Sequence, residues 1–422
     1  MRHIRYRDWR SADELDLGTH DGTATREPSS DIGWSSPDIG WSSSDIGWSS
    51  LSRPSLVIVN PSQSREYVDP HRDGRTGSFE QATWTSPEVT PEFAVTEVVA
   101  SWNATTPAGT WLEVEVAATM DDGTRTKWYV LGRWAEGDRD ISPTSVPGQG
   151  DGNADVAQDT LTTRQNRTLS TYQVRVHLLR AAGSDASPLV SLVGVMASSV
   201  AADHTVPRSP SGGAEGTLLE VPAYSQMIHR GEYPQWDNGG QSWCSPTATM
   251  MVLGRWGNGP TGEDYAWVDP SYQDRSVDHA ARHTYDHDYG GAGNWTFNTA
   301  YAARYGVIAY VTRLRSLTEA EQFIKAGIPL VVSVSFGKDQ LEGAGYETAG
   351  HLLTIVGFDA DGNVISNDPA SHGIASNEQV RATYDREQFE NAWIVPTGGI
   401  VYVIHPPDVE TPHPPAGEPN WR

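Results

Sequence analysis

The chain has 422 residues and a formal net charge of −24 at pH 7, so it is long enough for two domains with separate cores. The acidic excess argues against nucleic acid and anionic membrane surfaces as partners, because both would repel it. No run of about 18 apolar residues occurs, which argues against a membrane span. The basic segment Met1–Arg10 lacks the apolar region of a signal peptide. A cytoplasmic compartment is the default expectation, and export would require a different start of translation.

Residues 1–78 are predicted to form a largely disordered N-terminal segment. Within residues 29–52 the six-letter unit Asp-Ile-Gly-Trp-Ser-Ser occurs three times at a spacing of seven residues. Glycine and serine in every unit argue against a coiled coil. The repeat is therefore interpreted as a low-complexity linker, with a tryptophan-presenting binding segment as the alternative.

Residues 79–204 are predicted to form an all-β sandwich or jelly-roll-like domain. The runs Thr110–Val116 and Leu169–Leu178 alternate apolar and polar side chains, as half-buried strands do. Exposed aromatics on such a domain would bind carbohydrate, cell wall or polypeptide. We interpret its tryptophans instead as core residues; these are Trp84, Trp102, Trp111, Trp128 and Trp134.

The remainder of the chain is predicted to contain a linker at 205–217, an α+β domain at 218–407 and a disordered proline-rich tail at 408–422. The predicted helices of the α+β domain are Ser245–Leu253, Asn294–Tyr305 and Ser316–Ala326, and the predicted strands are Ile328–Phe336, His351–Phe358, Val364–Asn367 and Ile400–Ile404. In the third helix Ser316 has the position of an N-cap, Glu319 has the capping-box spacing, and Gly327 follows the end.

The single cysteine of the chain, Cys244, stands at the start of a predicted helix. A lone cysteine excludes an intramolecular disulfide and a cysteine-based zinc finger. At a helix N-terminus the peptide dipoles favour thiolate, the nucleophilic form of the side chain. Cys244 is therefore a candidate nucleophile, and an inert packed thiol is the alternative.

A cysteine nucleophile requires a base and a group that orients the base. His351 is the candidate base, because it follows a glycine-rich loop and opens an apolar strand. The turn signal Asp361-Gly362 predicts a hairpin that brings the next strand end back toward His351. With two or four residues in the turn, Asp368 shares a face with His351 and Asn367 points away; an odd number reverses this. We prefer Asp368.

An oxyanion also requires donors. The backbone N–H of Cys244 is one candidate. Gln226, Gln235 and Gln241 all lie upstream and carry side-chain amides. The residues alone do not rank these three.

Several motifs in the second half resemble those of the bacterial C39-like cysteine peptidases, which have a papain-like fold. The resemblance covers about Leu218–Pro407, and its motifs are Val221–Gln226, Cys244–Ala248, Gly350-His351 and Asn367–Pro369. It implies Gln226 for the oxyanion, Cys244 as nucleophile, His351 as base and Asp368 as the orienting carboxylate. Ser245 departs from the usual glycine, and the interval from Gln226 to Cys244 is longer than usual.

The expected function is hydrolysis of peptide bonds through a Cys-His-Asp triad and an acyl-enzyme, on a peptide or protein substrate. The fold class is α+β, a papain-like cysteine peptidase domain preceded by an all-β sandwich. A peptidoglycan amidase or endopeptidase and an inactive binding protein are the alternatives. No metal or organic cofactor is implied.

Three histidines, His279, His283 and His287, recur at intervals of four residues and would share one face of a helix. Such a row would be able to bind zinc. We interpret it instead as a polar helix face near the cleft.

Overall fold

A computed structural model describes residues 2–28, 53–200, 205–417 and 419–422. The described residues combine mostly antiparallel sheets with six α-helices. The chain divides into two compact units. The N-terminal unit comprises Arg7–Ser199 and Asp286–Tyr289, and the C-terminal unit comprises Met1–Tyr6, Val200–Tyr285 and Gly290–Arg422. None of the described helices is both long and apolar enough to cross a membrane.

The regular elements of the first part of the chain are strands, apart from one short helix. Its elements are β1 (His3–Trp9), α1 (Ala12–Leu15), β2 (Thr19–Asp21), β3 (Thr23–Arg26), β4 (Ser55–Ile58), β5 (Gln63–Val68), β6 (Thr76–Thr85), β7 (Glu97–Thr105), β8 (Thr110–Met120), β9 (Tyr129–Trp134), β10 (Ala154–Ala157), β11 (Thr160–Thr163), β12 (Leu169–Ala181) and β13 (Leu189–Ser199). One antiparallel sheet has the order β10–β11–β7–β13–β4–β3, and a second has the order β2–β6–β12–β8–β9 with β5 on β6.

The tryptophans of this unit are mostly core residues, as predicted. Trp84, Trp102, Trp111 and Trp134 are each at most 1% exposed. Trp128 differs, because its ring is half-buried and lies 4.2 Å from the guanidinium carbon of Arg175. A cation over an indole face stabilises such a partly exposed position.

The expectation of disorder for residues 1–78 differs from the structure. Strands β1–β3 lie before residue 27, and strands β4 and β5, with the start of β6, lie between Ser55 and residue 78. Short runs such as Ser55–Ile58 are fully buried, and their pairing with distant strands is not visible in local composition. The repeat at 29–52 lies entirely outside the described residues.

The C-terminal unit is mixed α and β. Its elements are α2 (Cys244–Trp256), α3 (Arg275–Thr284), α4 (Trp295–Ala303), β14 (Ile308–Arg313), α5 (Leu317–Lys325), β15 (Leu330–Phe336), β16 (Thr348–Phe358), β17 (Val364–Asn367), β18 (Arg381–Tyr384), α6 (Arg386–Thr397) and β19 (Ile400–His405). The strands form an antiparallel sheet in the order β14–β19–β15–β16–β17–β18. Helix α2 packs against β16, and α6 packs against β15.

Capping explains the predicted start of α4 but not that of α5. Asn294 caps α4, and its side-chain oxygen accepts a hydrogen bond from Phe297 N–H at 3.0 Å. Helix α5 lies where predicted, but its capping box does not form. Ser316 makes no side-chain cap bond, and Glu319 accepts instead from the backbone N–H of Arg315 at 2.8 Å.

Two segments predicted as linker and disordered tail pack on the C-terminal unit. In the segment 205–217, Gly212 and Ala214 donate their N–H groups to the buried carboxylate of Glu321 at 2.7 and 2.9 Å. In the tail, Trp421 is 1% exposed and its ring contacts that of Phe323. Asn420 is also buried, and its amide donates to Arg313 O and to Glu319 Oε2, each at 2.9 Å. A few specific contacts thus hold a tail that its average composition predicts to be disordered.

Candidate active site

Cys244 is the first residue of helix α2. The first N–H groups of a helix have no partner within it and present partial positive charge. The Cys244 side chain is partly accessible, whereas the next nine residues of the helix are buried. Ser245, which departs from the usual glycine, lies 2.9 Å from the Tyr402 hydroxyl through its Oγ. The substitution therefore has a partner in the neighbouring sheet.

His351 and Asp368 are in contact across β16 and the end of β17. His351 Nε2 lies 2.9 Å from Asp368 Oδ1, and both side chains are buried. The Nε2–H therefore donates to the carboxylate, which leaves Nδ1 as the ring nitrogen for a second partner.

A β-bulge produces this alignment. The turn holds five residues between Phe358 and Val364, not the two or four on which the preference for Asp368 depended, and an odd turn alone would put Asp368 on the opposite face from His351. The register shifts between Ile355 and Gly357, and this extra residue restores the shared face. Asn367 points elsewhere, and its amide donates to Pro222 O at 3.1 Å.

Asp368 is a fully buried carboxylate with several donors. Besides His351, it accepts from the hydroxyls of Tyr346 and Tyr384, each at 2.7 Å, and from Ala370 N–H at 2.9 Å. Burial opposes its charge, but His351 and the two tyrosines lower its pKa to about 2. The side chain is therefore ionised at neutral pH.

The ring of His351 is also charged at neutral pH. Burial disfavours the imidazolium, but the Asp368 carboxylate, and then a hydrogen bond to the Cys244 side chain, raise its pKa to about 10. The structure thus brings the predicted nucleophile, base and carboxylate together in that order. Such an arrangement can hold a thiol proton on the ring and return it later.

Gln226 lies beside the start of α2. Its Nε2 donates to Gln241 O at 2.7 Å, and its backbone N–H donates to Pro369 O at 2.8 Å. The side chain is 3% exposed. Because an amide nitrogen carries two hydrogens, one remains for a ligand. The rival side chains of Gln235 and Gln241 are exposed, and Gln241 contributes its backbone carbonyl to hold Gln226.

Two site residues were absent from the sequence analysis. Tyr346 lies in the glycine-rich loop before His351, where its ring meets that of His351 edge-on at 5.6 Å. Tyr384 ends β18, a strand that was not predicted. The sequence holds a signal for Tyr346 as a site residue, because it is the aromatic residue of the loop Glu342–Gly350 that precedes His351. Tyr384 had none, since its position depends on β17–β18 pairing.

The histidine row does not form a metal site. Helix α3 ends at Thr284, so His287 is not on it. The rings of His279 and His283 stack at 3.9 Å, but His279 Nδ1 lies 2.9 Å from the Tyr301 hydroxyl. His279 is 2% exposed, so the expected polar face is partly core. Burial and the neighbouring His283 lower the pKa of His279 to about 2.

Comparison with protein families covers most of the chain. Residues 5–198 match the family described as Peptidase C39 N-terminal domain, and residues 218–399 match the Peptidase_C39 like family. The chain belongs to the C39-like peptidase family. The resemblance predicted for the second half is thereby confirmed, and the first half of this C39-like chain also matches an N-terminal domain of such peptidases.

No curated protein matches this C39-like chain. Among solved structures, the Agl-KA catalytic domain is 14% identical over 51% of this chain and 31% of its own, with a TM-score of 0.18. Infectious bursal disease virus structures of the Gx and Gt strains are 9% and 10% identical over 46% of this chain and 55% of theirs, each with a TM-score of 0.16. The chain thus spans about a third to just over half of these structures. Such scores carry no argument about the fold.

Proposed function

We propose that the chain is a cysteine peptidase of papain-like fold that hydrolyses peptide bonds through an acyl-enzyme. The observation that carries the proposal is the contact of His351 with Asp368 on one side and with the Cys244 side chain on the other. A nucleophile, a base and an orienting carboxylate in series are the requirements of this chemistry.

In the first half-reaction Cys244 Sγ attacks the carbonyl carbon of the scissile amide. His351 holds the thiol proton on Nδ1 and gives it to the leaving nitrogen as the C–N bond breaks. The product is a thioester on Cys244 and a free amine. Water then attacks the thioester, with its proton passing to His351, and the returning proton regenerates the thiol as the carboxylic acid leaves.

Asp368 acts on the ring rather than on the substrate. Its hydrogen bond to Nε2 fixes the tautomer in which Nδ1 serves the sulfur, and its charge stabilises the imidazolium. Tyr346 and Tyr384 hold the carboxylate in place through Oδ2. We assign both tyrosines as positioning residues.

The oxyanion of each tetrahedral intermediate would be bound by the Cys244 N–H and by the free amide hydrogen of Gln226. Donors fixed before the reaction stabilise charge that develops in the transition state. The bond from Gln226 Nε2 to Gln241 O supports this role, because it orients the amide.

The N-terminal unit is proposed to be a β-sandwich domain that binds the substrate or a carbohydrate or cell-wall ligand. Its two antiparallel sheets and buried aromatic core support the sandwich fold.

Hydrolysis of a peptide library, read by mass spectrometry, tests the proposed function. We expect new N-termini with the full chain and none with Cys244→Ala as the matched control. Parallel digests of peptidoglycan distinguish a cell-wall amidase or endopeptidase. Cleavage of neither substrate class by the folded chain would overturn the proposal and leave a binding protein.

A further inference from the structure

A second group of ionisable side chains lies in the C-terminal unit, and the proposed chemistry does not use it. His229 Nδ1 lies 2.7 Å from Glu232 Oε2 and 3.4 Å from Asp278 Oδ2. The His229 and Asp278 side chains are 0% exposed, and that of Glu232 is 12% exposed. The three ligand-type atoms all lie within 4.8 Å of one another. We call these residues the His229 cluster.

A proton on His229 does not balance the charge of this cluster. Two carboxylates carry two negative charges, so a protonated ring leaves one uncompensated in a buried position, which is costly. Within the described residues no donor reaches either oxygen of Asp278 in hydrogen-bonding geometry.

We propose that the His229 cluster binds a divalent transition-metal ion, through His229 Nδ1, Glu232 Oε2 and Asp278 Oδ2. A mixed set of imidazole and carboxylate ligands suits ions such as Zn²⁺ better than Ca²⁺ or Mg²⁺, which prefer oxygen alone. Ligand bonds of about 2.1 Å at tetrahedral angles separate ligand atoms by about 3.4 Å. The observed separations of 2.7 and 3.4 Å need only a small opening.

The N-terminal unit provides a contrast with the same ligand types. Glu113, Glu115 and His177 also cluster, but arginines already compensate these carboxylates. Arg65 and Arg133 contact Glu113, and Arg175 contacts Glu115. Added positive charge there would be repelled. The His229 cluster has no such arginine contact among the described ion pairs.

The ion would join segments that adjoin the candidate active site. His229 ends the 3₁₀ helix that Gln226 begins. The ring of His229 lies 5.9 Å from that of Trp243, the residue before Cys244. Asp278 belongs to α3, so binding would tie this helix to the long interval between Gln226 and Cys244. The role of the bound ion would be structural, and the proposal of a metal site does not depend on the proposed peptidase chemistry.

Zinc titration of the untagged full chain in a Cys244→Ala background tests the proposal, because this background removes the thiol as a competing ligand. The chain is first treated with EDTA and dialysed, and calorimetry then gives stoichiometry and Kd. We expect one Zn²⁺ per chain and weaker binding of Ca²⁺ and Mg²⁺. Asp278→Asn and Glu232→Gln should each weaken Zn²⁺ binding by at least about 100-fold, since even outer partners of a metal ligand contribute 10- to 100-fold.

The matched control is Glu115→Gln, which changes the arginine-compensated cluster and should leave Zn²⁺ affinity within about twofold. Circular dichroism verifies that each variant is folded. Where Asp278→Asn does not fold, the Zn²⁺ affinity of Glu232→Gln is the test of the proposal. Absence of binding in the background chain would overturn the proposal. So would binding that is unchanged by the folded variants or lost in Glu115→Gln. None of these readouts depends on hydrolysis.

Discussion

Nε2 of His351 and Oδ1 of Asp368 are 2.9 Å apart, and a register shift in β16 between Ile355 and Gly357 makes this contact possible. The two residues are buried and oppositely charged at neutral pH, since the pKa of His351 is raised to about 10 and that of Asp368 is lowered to about 2. The consequences of this pair for the proposed chemistry are measurable.

Replacing the carboxylate should shift the pH range of activity. Burial lowers the pKa of His351, and Asp368 is the largest influence that raises it. In Asp368→Asn the effect of burial on the pKa of His351 is no longer opposed by the carboxylate, so the ring loses its proton at a lower pH. The alkaline limb of kcat/KM, near pH 10 in the unchanged chain, should therefore move to lower pH. Profiles between about pH 4 and pH 10.5 measure this. The exposed Asp339→Asn is the control, and an unmoved limb in Asp368→Asn would count against the assigned pair.

The Gln226 amide should matter for hydrolysis and not for the reactivity of the thiol. Gln226→Ala is expected to lower kcat by about 10²- to 10³-fold, as removal of an oxyanion donor does. Alkylation of Cys244 by iodoacetamide forms no oxyanion and should change less than about twofold. Gln241→Ala, which keeps the backbone carbonyl that holds Gln226, should be near unchanged in both assays. An equal loss of kcat in both variants would remove Gln226 from the proposed role.

The hydroxyl of Tyr384 should stabilise the fold through Asp368. Tyr384→Phe keeps the ring but removes a 2.7 Å bond to a buried carboxylate, at a cost of about 1.5–3 kcal/mol in unfolding free energy. Urea unfolding measures this. Tyr310→Phe is the control, because its hydroxyl bonds the neutral Trp421 carbonyl, and it should cost about 1 kcal/mol with activity retained. Equal stability and activity in Tyr384→Phe and the unchanged chain would contradict the contact.

A buried ion pair should hold the segment 205–217. Arg386 contacts Glu321, and both are at most 2% exposed. Glu321→Ala leaves Arg386 uncompensated, so we expect a loss of about 3–5 kcal/mol in unfolding free energy. The exposed Glu387→Ala should stay within about 0.5 kcal/mol. The double variant Glu321→Gln/Arg386→Gln removes both charges and keeps an acceptor for the Gly212 and Ala214 N–H groups. It should recover part of the loss, and a loss as large as that of Glu321→Ala would show that charge compensation is not the cause.

Local signals were sufficient for the elements that carry the candidate site. The apolar pattern and small polar residues before Cys244 predicted α2, and apolar runs predicted β15, β16 and β17. Which side chains of β16 and β17 lie on the same face depends on the turn length and on a bulge, and neither has a local sequence signal. The five-residue turn and the compensating bulge each reverse the side-chain parity, so the preferred Asp368 was reached through a turn length that differs from the structure.

Long-range packing explains the remaining differences. Residues 3–26 form strands because of partners far along the chain, such as Ser55–Ile58 for Thr23–Arg26. The tail is held by Trp421 and Asn420, and the segment 205–217 by Glu321 and Arg386. Helix α6 contains Pro396 near its end, a residue that usually signals a break. Tertiary contacts therefore decided what composition and propensity did not.

The most direct test of the account is the alkylation rate of Cys244 at pH 6, read by intact mass. The chain has one cysteine, so each adduct reports this residue. An ordinary thiol with a pKa of about 8.5 is only about 0.3% thiolate at pH 6. The account predicts alkylation at least about 10-fold faster than that of a free thiol, because His351 accepts the thiol proton, falling to the free-thiol rate in His351→Ala. Equal rates for the unchanged chain, His351→Ala and a free thiol would contradict it.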